Sequence, residues 1–95
     1  MQLHSLADKS SLSGIRKLIR ARLMEVSAPA SESFDCLVAV TEACTNALVH
    51  GRGDKEAPDP QVSWEIDHEV ARFNIKDFAT FKETKTVDLQ ERKDE

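Results

Sequence analysis

The sequence predicts an α+β domain: a two-layer sandwich with helices packed on one face of a small, mostly antiparallel sheet. Three observations lead there. Two successive stretches repeat their apolar residues at helical spacing, two later stretches alternate at period two, and a loop broken by Gly and Pro separates the halves. At 95 residues the chain bounds one small domain, with a core large enough to fold and little to spare.

Gln2 to Ala7 reads as a short edge strand. From Ser11 to Val26, the residues Leu12, Ile15, Leu18, Ile19, Leu23 and Val26 recur mostly at steps of three and four, which predicts an amphipathic helix capped by Ser10 or Ser11. SAPASES interrupts the chain at Pro29. Ser31, Glu32 and Asp35 then start a second helix, with acids in its first turn facing the positive end of the helix dipole, and Gly51 stops it. GRGDKEAPDP is too polar and too broken to continue either element, so it reads as a loop. QVSWEID alternates Val62, Trp64 and Ile66 on one face, a turn follows near His68, and ARFNIKD alternates Phe73 and Ile75; together they predict a β-hairpin. Beyond Phe81, KETKTVDLQERKDE offers only Val87 and Leu89 for burial. Residues 1–81 are therefore expected to form the domain, and 82–95 a polar, charged tail or the stub of a lid.

Charge narrows the function classes. A formal net charge of -4 with no dense Lys/Arg run argues against direct nucleic-acid binding or an anionic membrane surface, and Arg16, Lys17, Arg20 and Arg22 read as a solvated helix face. No apolar run approaches the roughly 20 residues of a membrane span, and MQLHSLADKSS lacks a charged-then-apolar leader pattern, so a cytoplasmic protein is expected. Cys36 and Cys44 sit on one helix, roughly 12 Å apart at helical rise, beyond disulfide reach. They read as two free thiols in or near the core.

The second helix raises the functional question. Projected at about 100° per residue, Phe34, Leu37, Val38, Thr41, Cys44, Thr45, Leu48 and Val49 form the expected core stripe. Glu42, Asn46 and His50 form a second, polar stripe beside it, bordered by Ala39, Ala43 and Ala47. Small residues beside an acid and an amide leave room for a close approach, although Glu and Asn one turn apart are also an ordinary surface pair. Asp77 shares a strand face with Phe73 and Ile75. Either the strand ends early and Asp77 turns to solvent, or its carboxylate takes a donor from a ligand, such as the exocyclic amine of adenine. In the second case Glu42, Asn46 and Asp77 line one pocket.

These residues carry a resemblance. VTEACTNALVHG resembles the N box of the GHKL (Bergerat-fold) ATPase superfamily, and in particular the small serine-kinase anti-sigma factors of bacteria; NIKDFATF resembles the first glycine box. The similarity spans Ile15 to Phe81. It implies an incomplete Bergerat, or histidine-kinase-like ATPase, fold that binds ATP with Mg2+, sequesters a sigma factor, phosphorylates a serine of a STAS-type anti-anti-sigma antagonist, and forms a homodimer. By the same resemblance Glu42 matches the general base, Asn46 the magnesium ligand and Asp77 the adenine-recognising carboxylate, while Ala43, His50 and Ala79 fall among the nucleotide-contacting positions. A serine hydroxyl needs a base to accept its proton, and magnesium takes few protein oxygens, so the residue types suit those roles.

Two departures qualify the resemblance. Ala79 stands where the first glycine box carries glycine, and no Gly-x-Gly follows Phe81, so the phosphate cradle is expected to be missing and ATP binding weak or lost. Two other readings stay open: a nucleotide-independent interaction domain with a degenerate ATPase fold, and a phosphotransfer partner of the histidine-kinase type. No phosphoacceptor-histidine helix precedes the N box, which weighs against the latter.

Overall fold

The structure, a computed structural model, describes residues 3–50, 59–76 and 82–90. Strand β1 (His4–Ser5) leads into helices α1 (Lys9–Glu25) and α2 (Ala30–His50), followed by β2 (Gln61–Ile66), β3 (Val70–Lys76) and β4 (Lys82–Asp88). The strands form one antiparallel sheet in the order β1-β2-β3-β4. Both helices lie on one face of it, as the patterning predicted.

Helix α1 starts two to three residues earlier than a cap at Ser10 or Ser11 implied. Asp8 is its N-cap, accepting the Ser11 N–H at 3.0 Å, while the Ser11 hydroxyl accepts from the Ala7 N–H at 3.3 Å. These bonds to Ser11 and Ser10 hold the Asp8 carboxyl below its ordinary range. The C-terminus closes as a Schellman motif: Ala28 N–H donates to Leu23 O and Ser27 N–H to Met24 O, both at 3.0 Å. Ser27 takes the left-handed position with φ 54°, where glycine is the usual residue. Pro29 follows, and its carbonyl accepts the first α2 bond from Ser33 N–H at 2.9 Å.

Packing of α1 follows its pattern, with Leu12, Ile15, Ile19, Leu23 and Val26 buried and only Leu18 turned out. Helix α2 does not follow the expected stripe. Its buried residues are Cys36, Val40, Ala43, Cys44 and Ala47, whereas Phe34, Val38, Thr45 and Val49 are exposed and Leu37, Thr41 and Leu48 are only half-buried. The cause is size. α2 is apolar over most of its circumference, so hydrophobicity alone does not fix its rotation, and the face with the smallest side chains lets the helix settle closely against β3 and β4, with Phe73 and Ile75 buried beneath.

The hairpin is as predicted. Val62 pairs with Ile75, Trp64 with Phe73 and Ile66 with Ala71, so one face points at the helices. The Asp67 carboxylate closes the turn by accepting Glu69 N–H at 2.8 Å and Val70 N–H at 2.9 Å. The Arg22 guanidinium forks onto the Ile66 carbonyl, at 3.1 and 2.8 Å, tying the end of α1 to the end of β2.

The expectation of a tail from residue 82 is corrected over Lys82–Asp88, which pairs with β3 along its full length. Val87 and Leu89 reach the core, and Leu89 N–H bonds to Glu69 O at 2.8 Å. By register Glu83 and Lys85 also share the helix-facing side, pairing with each other at 3.1 Å. Charges at inward positions hide the period-two signal of a strand, and are one way an edge strand avoids pairing with another chain.

Two predictions follow from this packing. Replacing Ser27 by glycine should stabilise the fold by about 0.5–1 kcal/mol, because it relieves a left-handed conformation that costs a side-chain-bearing residue; an unchanged or lower midpoint in urea unfolding would contradict the Schellman geometry. The buried thiols set a pH limit. Burial, with the nearby Glu83 carboxylate second, pushes Cys44 up to about 12, and burial with Asp35 and Glu32 pushes Cys36 up to about 11. A thiol that stays protonated in the fold but ionises in the unfolded chain adds stability that is complete below the ordinary thiol range and is lost as pH rises towards these values. Melting temperature should fall above about pH 9, and Cys44→Ala should flatten that fall; an identical slope in the variant would count against the assignment.

Candidate functional site

The rotation that buries Ala43 and Ala47 turns Glu42 and Asn46 outward. Both are exposed, on adjacent turns of one α2 face, where side chains four apart lie about 5–6 Å from each other at Cβ. Their neighbours Thr41 and Thr45 are folded back on the helix: the Thr41 hydroxyl donates to Leu37 O at 2.6 Å and the Thr45 hydroxyl to Thr41 O at 2.7 Å. Two short side chains pinned to the backbone leave the carboxylate and the amide as the projecting groups.

The remaining site candidates divide. Ala43 is fully buried, so its place is in the core beneath the open face; its small volume serves the approach of α2 to the sheet. His50 is the last residue of α2, and its side chain lies outside what the structure describes. Asp77 and Ala79 also lie outside the described residues. What precedes Asp77 is in place, since Ile75 is buried and Lys76 ends β3. The structure therefore brings Glu42 and Asn46 together, and leaves their convergence with Asp77 to be tested.

Their chemistry is complementary. A carboxylate that faces solvent on a rigid helix can accept a proton from an incoming hydroxyl, and an amide oxygen one turn away can donate to a hard cation. Among the described residues no group of three or more His, Cys, Asp or Glu side chains is placed to hold a metal ion. The α2 donor set is of another kind: a single amide oxygen suits magnesium, which keeps several waters and completes its octahedron with phosphate oxygens. Asn46 fits that requirement.

A cleft of about 420 Å³ lies between α1 and α2, lined by Arg16 and Arg20 on one side and by Phe34, Leu37 and Val38 on the other, with Glu42 also on its wall. Arg20 is exposed, as expected of a solvated helix face, whereas Arg16 is half-buried; both also line this cleft. Their four-residue spacing, matched by Phe34 and Val38, was the available signal. A second cleft of about 460 Å³ lies across α1, where His4 stacks on Trp64 at 4.5 Å beside Leu18 and Arg22. Neither cleft is lined by Asn46.

No helix among the described residues is long and apolar enough to cross a membrane. The family model described as a histidine kinase-like ATPase domain matches residues 6–95, reaching beyond both ends of the N-box and glycine-box resemblance. Nothing among curated proteins or solved structures matches the chain. The match takes in both helices and strands β2 to β4, with Glu42 and Asn46 on α2, and on that ground the chain belongs to the histidine kinase-like ATPase domain family.

Proposed function

We propose that this domain binds Mg-ATP and acts as an anti-sigma factor of the serine-kinase type, holding a sigma factor and phosphorylating a serine on a STAS-type antagonist. The observation that carries the reading is the shared open face of Glu42 and Asn46 in a chain of this ATPase family. When bound, Mg-ATP supplies the transferable phosphoryl group. Asn46 holds the metal through its amide oxygen, and Asp77 recognises the adenine amine. Glu42 accepts the proton of the seryl hydroxyl, which makes that oxygen a competent nucleophile. α2 contributes rigidity, because its buried side fixes the base and the metal ligand relative to each other.

The partners are carried by resemblance, and one structural feature supports the homodimer. Strand β1 covers β2 only at Gln61 and Val62, so among the described strands the outer edge of β2 from Ser63 to Ile66 has no partner. Exposed Leu3, Leu18 and Met24 add apolar surface to the molecule. A second copy pairing along that edge would cover unpaired ladder groups. A strictly monomeric species by light scattering at high concentration would count against pairing.

A second reading is a nucleotide-independent interaction domain, favoured by the outward side chains Phe34, Val38 and Val49 on α2. Titration with Mg-ATP separates the two. Binding by the 95-residue chain is expected to be weak, because residues 82–95 hold no Gly-x-Gly, and backbone donors to phosphate are worth on the order of 1–3 kcal/mol each. Calorimetry should show an affinity weaker than low-micromolar, with the magnesium-dependent part abolished in Asn46→Ala. No thermal shift at millimolar Mg-ATP would favour the interaction domain. In phosphotransfer to the antagonist serine, Glu42→Gln should lower the rate roughly 100-fold or more while nucleotide binding persists. An unchanged rate would remove Glu42 from the chemistry.

A further inference from the structure

The α1–α2 cleft combines features that a solvated surface would not need. Phe34 is 67% exposed and Val38 39%, on consecutive turns of a helix whose other side is already packed. Across from them stand Arg16 and Arg20, also one turn apart, and neither forms a salt bridge among the described residues. The Arg16 Nε is buried without a hydrogen-bond partner among the described residues, while the residue itself lines the groove. Apolar anchors line one wall and guanidinium donors the other, along a groove between helices joined by the short connection from Val26 to Pro29.

We infer that this groove is a docking site for a helical segment of a partner protein, with an apolar ridge seated on Phe34, Leu37 and Val38 and carboxylates facing Arg16 and Arg20. A helix suits the shape, since a groove between two helices accepts the ridge of a third. Carboxylates suit the donors, because guanidinium binds them bidentately. The whole chain carries a net charge of -4, which repels an acidic segment in general, so attraction must come from this local pair. Because Glu42 also lines the groove, a docked segment lies beside the base; that last link rests on the role proposed for Glu42, whereas the docking itself does not.

The test uses the full chain without nucleotide and two fluorescein-labelled helical peptides. One carries leucines at i and i+4 with aspartates at i+3 and i+7; the other has lysines in place of the aspartates. Anisotropy should give at least about tenfold tighter binding of the aspartate peptide at low salt, a difference of about 1.4 kcal/mol. Arg20→Glu and Phe34→Ser, both at exposed positions where folding is preserved, should each weaken it about fivefold or more. Amide shift changes should map to the facing turns of α1 and α2. Equal affinity for both peptides, no binding of either, or shifts centred on His4 and Trp64 or on the β2 edge would overturn the proposal. Asn46→Ala, which reports on the nucleotide site, should leave peptide binding unchanged, so failure of the nucleotide reading and failure of this one give different results.

Discussion

The close seating of α2 on the sheet is the constraint on which the rest depends. Ala43 and Ala47, with Cys36, Val40 and Cys44, present a shallow face to a sheet that supplies the bulk through Phe73 and Ile75 of β3. Small against large is how a core reaches native density without voids. Once that contact is made, helical geometry leaves no freedom in where the other residues point. Glu42 and Asn46 face out together, and Phe34 and Val38 face out beside the arginines of α1. One rotation thus sets both the polar pair and the apolar groove wall.

The sheet is secured by backbone pairing and a few anchors more than by its charges. Along β4, the exposed Thr84 hydroxyl donates to Asn74 Oδ1 at 3.1 Å, and Glu83 meets Lys85 at 3.1 Å. Partly exposed ion pairs contribute only about 0–1 kcal/mol, so the strand is held chiefly by its ladder with β3 and by burial of Leu89 at its end. On the other side of the hairpin, Arg22 does what no charge pair does there. Its two donors satisfy the Ile66 carbonyl and fix α1 to the same end of the sheet.

Membership in an ATPase family gives the polar pair its meaning, and the helices give it rigidity. A carboxylate and an amide on adjacent turns keep a fixed separation as long as the buried side of the helix holds, so the core fixes the geometry of Glu42 and Asn46 without touching either side chain's open face. The thiols fit this division: both are buried and held protonated at neutral pH, which makes them filling and removes them from the reactive groups.

Much of the fold was legible in the sequence. Period-two alternation located the hairpin, helical spacing located α1 and its buried residues, and the breaks at Pro29 and after His50 separated the elements. The candidate pair on α2 was legible too, because residues four apart share a face whatever the helix packs on. The rotation of α2 was not. Its apolar residues encircle most of the helix, and only the space left between α1 and the sheet selected the small face over the one with Phe34 and Val49. Strand β4 was hidden because the charges of Glu83 and Lys85 occupy inward positions that become tolerable only when β3 pairs with them and they pair with each other. The groove of Arg16, Arg20 and Phe34 exists only once two helices lie side by side. The sequence by itself determined which elements form and which polar residues travel together; tertiary structure decided which faces meet, because burial is a property of two surfaces and a sequence lists one at a time.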